Sequence, residues 1–448
     1  MGLASALLPK EKPERGAVGL VYTHAMRFEV ALRAGFLCGA SLACSSAPLA
    51  PPSVTSPESA GFDAVVLTLQ DSGAAAAQTR AYGLEAEGDA VLLCADTSGF
   101  AVSADRRHVA CESTSASPTT VSVYNRGQGL HTLGEFQSPV FSPAGDRLAL
   151  SGSDTLFIAG ADGSALSALP SDPTLGKVLG AAQWSSSGRY VSVLAEQGAW
   201  VWDVEQRALR QTLLGYNALS WLPGRDRLVA TQAGELFFVD ADGAHPVDYA
   251  DAEFTGLWPG FSSSGDYLAY PRSSTIVVLN DRNGEGSSFV ADIRDSWLDW
   301  SPIGDELAVD HGSAGAPELL FWTPNDQFSV PRPDDAFGTI EWSPDGSLLR
   351  DYLDEGSLIY DGSSGEVVTR LVGRLQWSPS GQNLFTLNMD DSAWLGDRVG
   401  GGLRLLSDDA TRVTWFPDSQ HLAVQIENEL YVTDVQGTTP RLVATLSP

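Results

Sequence analysis

Six histidines, His24, His108, His131, His245, His311 and His421, are the residues best suited to move protons near neutral pH or to bind a metal. No two stand at a metal-ligand spacing, so each reads as a surface or satisfied core residue. Carboxylates are plentiful, with 56 Asp and Glu in the chain. Asp299, Asp310, Glu341 and Asp351 are examples. A convergent pair with raised pKa would do general acid and base work on a glycosidic bond. The sequence does not say which of them converge. A serine nucleophile on a strand-to-helix elbow needs Gly-x-Ser-x-Gly, and the nearest string, Gly260-Phe-Ser-Ser-Ser-Gly265, is one residue too long. Asp240-Ala-Asp242-Gly243 opens like a calcium loop but lacks the remaining ligand positions. Asp310-His311 has no recognisable nucleophile beside it. The expectation is therefore no catalytic residue, no metal site and no cofactor.

The elements that would position such residues are set by one phrase written eight times. An aromatic or its slot is followed by a small residue, usually a proline, any residue, and usually a glycine. It stands as Phe141-Ser-Pro-Ala-Gly145, Trp184-Ser-Ser-Ser-Gly188, Trp221-Leu-Pro-Gly-Arg225, Phe261-Ser-Ser-Ser-Gly265, Trp300-Ser-Pro-Ile-Gly304, Trp342-Ser-Pro-Asp-Gly346, Trp377-Ser-Pro-Ser-Gly381 and Trp415-Phe-Pro-Asp-Ser419. The aromatics are 35 to 43 residues apart, and self-similarity at that period marks a repeat architecture. Ser-Pro-x-Gly supplies a type I turn with a side-chain acceptor first, a preset φ second and glycine fourth. An apolar residue follows seven positions after each aromatic, from Leu148 to Leu422, and begins a short alternating strand. A third strand such as Leu236-Phe-Phe-Val239 ends in an Asp/Asn/Gly hairpin, and a fourth such as Arg210-Gln-Thr-Leu-Leu214 closes the unit.

Four antiparallel strands per forty residues is the arithmetic of a β-propeller blade. A single such sheet cannot bury its two apolar faces alone, so blades stack in a ring. The aromatic becomes a wedge between neighbours, and six of the twelve tryptophans occupy its slot. Trp342-Ser-Pro-Asp-Gly346 with its sister copies and Phe237-Phe-Val-Asp-Ala-Asp-Gly243 resemble the TolB-type propeller repeat, a relative of the WD-repeat, over roughly residues 100 to 448. Trp202-Asp203 is similar to the WD dipeptide. The resemblance implies an all-β fold, a single β-propeller of about eight four-stranded blades. It implies little about function, because such propellers serve as scaffolds, peptidase gates and surface proteins. An eroded copy at Val102-Ser-Ala-Asp-Arg-Arg107, 39 residues before Phe141, lacks aromatic and glycine and makes nine blades the alternative. The propeller is expected over 62–448, with clear repeats over 137–448 and the eroded one over about 98–136.

The first 61 residues differ. From Met26 a basic start, the apolar core Ala34-Gly-Phe-Leu-Cys-Gly-Ala-Ser-Leu-Ala43 and a small-residue exit read as a secretory signal peptide over 26–43. Residues 1–25 read as an upstream extension absent from the mature protein. Leu42-Ala43-Cys44 resembles a bacterial lipobox, which implies acylation of Cys44, although Ser41 stands where leucine is usual. The Pro/Ser-rich stretch 44–61 suits a flexible tether. Cys94 and Cys111, seventeen residues apart near strand ends, either pair as a disulfide or stay buried thiols.

The whole chain has 27 basic and 56 acidic residues. Residues 1–43 hold five and three of them, which leaves 22 against 53, a net of −31. Such a surface repels phosphate backbones and excludes nucleic acid as a partner. These features together predict an extracytoplasmic, lipid-anchored, non-catalytic monomer in the periplasm or at the outer membrane or cell surface. It would bind a protein or cell-envelope ligand, with a basic one suited to its charge. The alternatives are a propeller enzyme, a glycan hydrolase or lyase with carboxylates in the central channel, and a sugar- or metal-binding module using Trp258, Trp297 and Trp394.

Overall fold

A computed structural model describes residues 61–448 apart from 71–77, 96, 114–117, 243–247, 252–259, 273–274, 282–285, 291–297, 314–315, 334–335 and 447–448. Cys44 and the segments 1–25, 26–43 and 44–60 lie outside the described residues. The fold is all-β: the described residues form ten antiparallel sheets in a ring, nine four-stranded and one three-stranded. We number them blades 1 to 10, over 64–94, 97–134, 137–168, 183–214, 218–251, 260–290, 298–331, 336–372, 374–407 and 412–445. Each is a meander in which sequential strands pair.

The ring is larger than the eight clear repeats. The eroded copy forms a complete blade, blade 2, because its turn survives without the aromatic or the glycine. The Arg106 N–H bonds the Ser103 carbonyl at 2.8 Å and the His108 N–H bonds the Ser103 hydroxyl at 3.0 Å. Arg106 takes the left-handed conformation at φ 56° that glycine fills elsewhere, as in Gly145 at φ 75°. In the regular copies the same two bonds recur: Gly346 N–H to Ser343 carbonyl at 2.8 Å, and Leu348 N–H to Ser343 hydroxyl at 3.0 Å. Blade 1 precedes any legible copy and packs as a tenth member.

Burial explains why the sheets close on themselves. The apolar core is divided into clusters that each lie between two consecutive blades. Tyr190, Val201 and Leu213 of blade 4 meet Leu219, Trp221 and Leu228 of blade 5. Ala308, Leu319 and Phe321 of blade 7 meet Ile340, Trp342 and Leu349 of blade 8. The last cluster joins Ala64, Tyr82 and Leu84 of blade 1 to Phe416, Leu430, Val432 and Val443 of blade 10. Among the described residues each consecutive pair of blades, and blades 10 and 1, shares such a cluster, which meets the burial requirement of a repeat that cannot stand singly.

The aromatic slot acts as the expected wedge and also makes a hydrogen bond. Trp184, Trp221, Trp342 and Trp415 each donate the indole N–H to the previous blade, to the carbonyls of Val140, Gln183, Asp299 and Gln376, at 3.1, 3.0, 3.0 and 3.3 Å. Each acceptor is the residue just before the previous blade's own aromatic. These four tryptophans fill the inter-blade gap and satisfy a backbone carbonyl that a phenylalanine would leave bare, whereas Trp377 donates to the Arg398 carbonyl of its own blade at 2.9 Å. First strands of neighbouring blades approach one another, as between blades 2 and 3 and between blades 7 and 8, so they form the inner ring. Fourth strands carry exposed apolar residues such as Val367, Val372 and Leu442 and form the outside.

Candidate functional site

Each inner-strand position recurs in the nine blades 2 to 10, and one sector of the inner ring departs from the common pattern. The residue before the aromatic slot reads Ala101, Val140, Gln183, Ser220 and Gly260 in blades 2 to 6, then Asp299, Glu341, Gln376 and Thr414 in blades 7 to 10. Two residues earlier, blades 2 to 5 carry Gly99, Ser138, Ala181 and Ala218, whereas blades 8 to 10 carry Thr339, Arg374 and Arg412. Charge at these inner positions is thus confined to blades 7 to 10. Glu341, Arg374, Gln376 and Arg412 are exposed and Asp299 is half-buried.

Asp299 and Glu341 are handled differently by their surroundings. The Asp299 carboxylate accepts the Trp342 backbone N–H at 2.9 Å, across the gap between blades 7 and 8. Burial pushes its pKa up to about 7, the nearby Glu341 charge adds to this, and the Trp342 N–H and Arg350 oppose it. The Glu341 side chain is 54% exposed and pairs with Arg350 Nη2. That pair is set by register, since Glu341 and Arg350 stand opposite on the first and second strands of blade 8. Arg350 is 3% exposed. Its guanidinium lies 4.1 Å from the centre of the Tyr352 ring and 5.8 Å from that of Trp377 in blade 9, and Nη2 also donates to the Tyr352 hydroxyl. Burial pushes the Tyr352 phenol up, with Arg350 opposing. Arg350 is held by a rim carboxylate and two aromatic faces, so it fixes Glu341 at the channel-side edge of blade 8.

Asp310 and Asp351 belong to a different device. Arg332, just past the fourth strand of blade 7, bonds Asp310 at 2.5 Å and takes Asp351 bidentately at 2.6 and 2.8 Å. The Asp351 side chain is fully buried and that of Arg332 nearly so. This triad staples blade 7 to blade 8, and both acids are committed to it. Other buried carboxylates are likewise held by arginines, here within a single blade. Asp203, of the Trp202-Asp203 dipeptide, is fully buried; burial alone would raise its pKa, but Arg189, the Gln206 N–H and Arg210 hold it at about 2.

The remaining sequence candidates that the structure describes are taken up in local contacts. His108 bonds Asn125 at 2.7 Å and His421 bonds Asp418 at 2.6 Å. Among the described residues no group of three or more His, Cys, Asp or Glu could hold a metal. Gly260–Gly265 is a blade turn, with the Gly265 N–H on the Ser262 carbonyl at 2.9 Å. Asp240 pairs with Arg227 at 3.2 Å. Trp394 is half-buried and donates to the Ser392 hydroxyl at 3.2 Å, while His24, His245, Trp258 and Trp297 lie outside the described residues. Cys94 and Cys111 form a disulfide between blades 1 and 2, with Cα atoms 6.4 Å apart.

Sequence reasoning named Asp299, Asp310, Glu341 and Asp351 without being able to sort them. The signal that sorts them is departure from the repeat. Eight residues after the slot the other blades have Ala, Ser, Val or Phe, and blade 8 has Arg350. Nine residues after it none of the others has a charge, and blade 8 has Asp351. Charges at core positions are costly, so they mark where partners must be supplied.

No family model matches the chain, and no curated protein matches it. Among solved structures, the crystal structure of the eukaryotic initiation factor is similar with a TM-score of 0.55 at 16% identity, covering 75% of this chain and 95% of that one. The crystal structure of the mitotic checkpoint complex aligns at TM-score 0.34 and 16% identity, covering 67% and 89%. That of Kluyvelomyces marxianus Hsv2 aligns at 0.38 and 9%, covering 56% and 90%. At 16% identity the first likeness shows the fold alone, a β-propeller.

Proposed function

We propose that the chain is a non-catalytic interaction scaffold that takes a protein partner on the inner rim of blades 7 to 10. The observation that carries this is the confinement of exposed charge on the first strands to that sector, with Glu341, Arg374 and Arg412 on neighbouring strands and the rest of the inner ring small or uncharged. A surface with both signs in fixed register suits a partner segment with its own alternating charges, and the net charge of −29 favours an overall basic one. We further propose the finer reading drawn from sequence: a TolB-type propeller, exported through residues 26–43, anchored by lipid on Cys44, monomeric and facing the cell envelope. Protein footprinting of the chain with a captured partner tests the location. Protection is expected at 339–341, 374–376 and 412–414, and protection confined to the outer strands would contradict it.

One observation favours a second reading. Asp299, an enclosed carboxyl whose pKa burial pushes up to about 7, lies near the Glu341 carboxylate across the gap between blades 7 and 8, and two carboxyls so placed are the parts of an acid and base pair. Turnover of a peptide or glycan by the purified chain, abolished by Asp299→Asn, would establish that reading and remove the first.

A further inference from the structure

Blade 2, built on the eroded copy, lacks the aromatic and the glycine of the repeat and carries arginine at three positions in two neighbouring turns. Arg106 stands in the glycine slot, where blades 3, 4 and 6 to 9 have glycine. Arg107 follows it, where the other blades have Asp, Ser, Gln or, in blade 4, Arg189. Arg126 completes the set. Its N–H bonds the Arg107 carbonyl at 3.0 Å, and the residue that makes this same bond in other blades is Ala, Val, Asp or Gly, from Ala161 to Val435. The Arg126 guanidinium lies 4.7 Å from the centre of the Phe62 ring, and the Phe62 N–H bonds the Arg106 carbonyl at 3.1 Å.

These arginines are not matched as others are. Arg189, Arg225 and Arg398, in turns of blades 4, 5 and 9, pair with Asp203, with Asp266 and Asp281, and with Asp345. Arg126 gives one nitrogen to Glu85. Arg106 and Arg107 are half-buried and make no side-chain hydrogen bond or ion pair among the described residues. The buried Nε of each, and the buried Nη1 of Arg126, have no acceptor. Charged donors left without acceptors are costly, so such a site gains from an anion that supplies them.

The seam between blades 5 and 6 shows the matched form. Arg225 occupies the turn position of Arg106, with its N–H on the Leu222 carbonyl at 3.3 Å as that of Arg106 is on the Ser103 carbonyl at 2.8 Å, and it takes two carboxylates of the next blade. The positions in blade 3 equivalent to Asp266 and Asp281 are Asp146 and Ala161, since the Asp281 N–H bonds the Asp266 carbonyl at 2.8 Å and the Ala161 N–H bonds the Asp146 carbonyl at 3.0 Å. Asp146 accepts the Ser142 hydroxyl at 2.8 Å and lies 3.9 Å from Arg147, and Ala161 brings no carboxylate. We propose that Arg106, Arg107 and Arg126 form an anion site for an acidic peptide segment, whose carboxylates supply from outside what Asp266 and Asp281 supply to Arg225 within the chain. Guanidinium forks hold carboxylates bidentately. At physiological salt, exposed charges more than about 8 Å away are largely screened, so the net charge of −29 does not cancel a local match. The site shares no residue with the inner rim of blades 7 to 10 and does not depend on that reading.

Equilibrium binding to the full chain at low salt is the test, with acetyl-Gly-Asp-Asp-Gly-amide as probe and acetyl-Gly-Asn-Asn-Gly-amide as control. The Asp peptide is expected to bind at least about tenfold more tightly than the Asn peptide. Arg106→Gln combined with Arg107→Gln should weaken the Asp peptide about tenfold or more and leave the thermal midpoint unchanged, because neither side chain has a partner to lose. Arg207→Gln, at an exposed arginine of blade 4, should change its affinity less than about twofold. Equal binding of the two peptides would overturn the proposal, and so would equal losses in the Arg106/Arg107 and Arg207 variants. Inorganic phosphate binding the same arginines at least about tenfold more tightly than the Asp peptide would also overturn it, by assigning the site to a single dianion.

Discussion

Asp299→Asn should make stability less sensitive to pH, with a sign that follows from where the carboxyl sits. The folded protein holds this proton up to about pH 7, whereas an unfolded chain releases it near 3.8. Between those values the folded state binds more protons, so wild-type stability from this group is full below pH 3.8 and declines as pH rises to about 7. The difference corresponds to at most about 4 kcal/mol, and partial exposure reduces it, so about 1–3 kcal/mol is expected. Asparagine removes the ionisation and can still accept the Trp342 N–H. In urea unfolding at pH 4.5, 6 and 8, the variant should match wild type at the lowest pH and exceed it by about 1–3 kcal/mol at the highest. Other titrating groups are common to both chains and cancel in the difference. A difference constant within about 0.5 kcal/mol across the range would refute the assignment of Asp299 as an enclosed carboxyl with a raised pKa.

Arg332→Met removes the guanidinium that Asp310 and Asp351 share, and denaturant unfolding should report a loss of about 3–5 kcal/mol. Much of that should return when Asp351→Leu is added, and no return would mean that the triad is not the cause. Cys94→Ser opens a loop of 17 residues. By the chain-entropy account this costs about 3 kcal/mol, and reduction of wild type should have the same effect, read by thermal unfolding with and without reductant.

The architecture was legible because its turns are chemical. Ser-Pro-x-Gly needs specific residues, so the period survives in the sequence, and the tryptophan wedge could be read with it. The number of blades was less so: Arg106 takes a glycine-like conformation that its residue type does not announce, and blade 1 shows no clear copy. The four carboxylates could be named but not sorted, because their roles depend on which strand of the neighbouring blade they meet. Asp351 and Asp310 meet Arg332, and Asp299 meets a backbone N–H. The inner-ring sector emerges only when blades are aligned position by position, where Glu341, Arg350 and Arg374 stand out against small or apolar residues.

The central claim is that partners engage the inner rim of blades 7 to 10. Two charge reversals of equal size separate this from general electrostatics: Glu341→Lys in the sector, and Asp89→Lys in the turn of blade 1, whose side chain is 95% exposed. Affinity for a partner identified by capture should fall about tenfold or more in Glu341→Lys and change less than about threefold in Asp89→Lys. Equal losses in both, or none in Glu341→Lys, would contradict it.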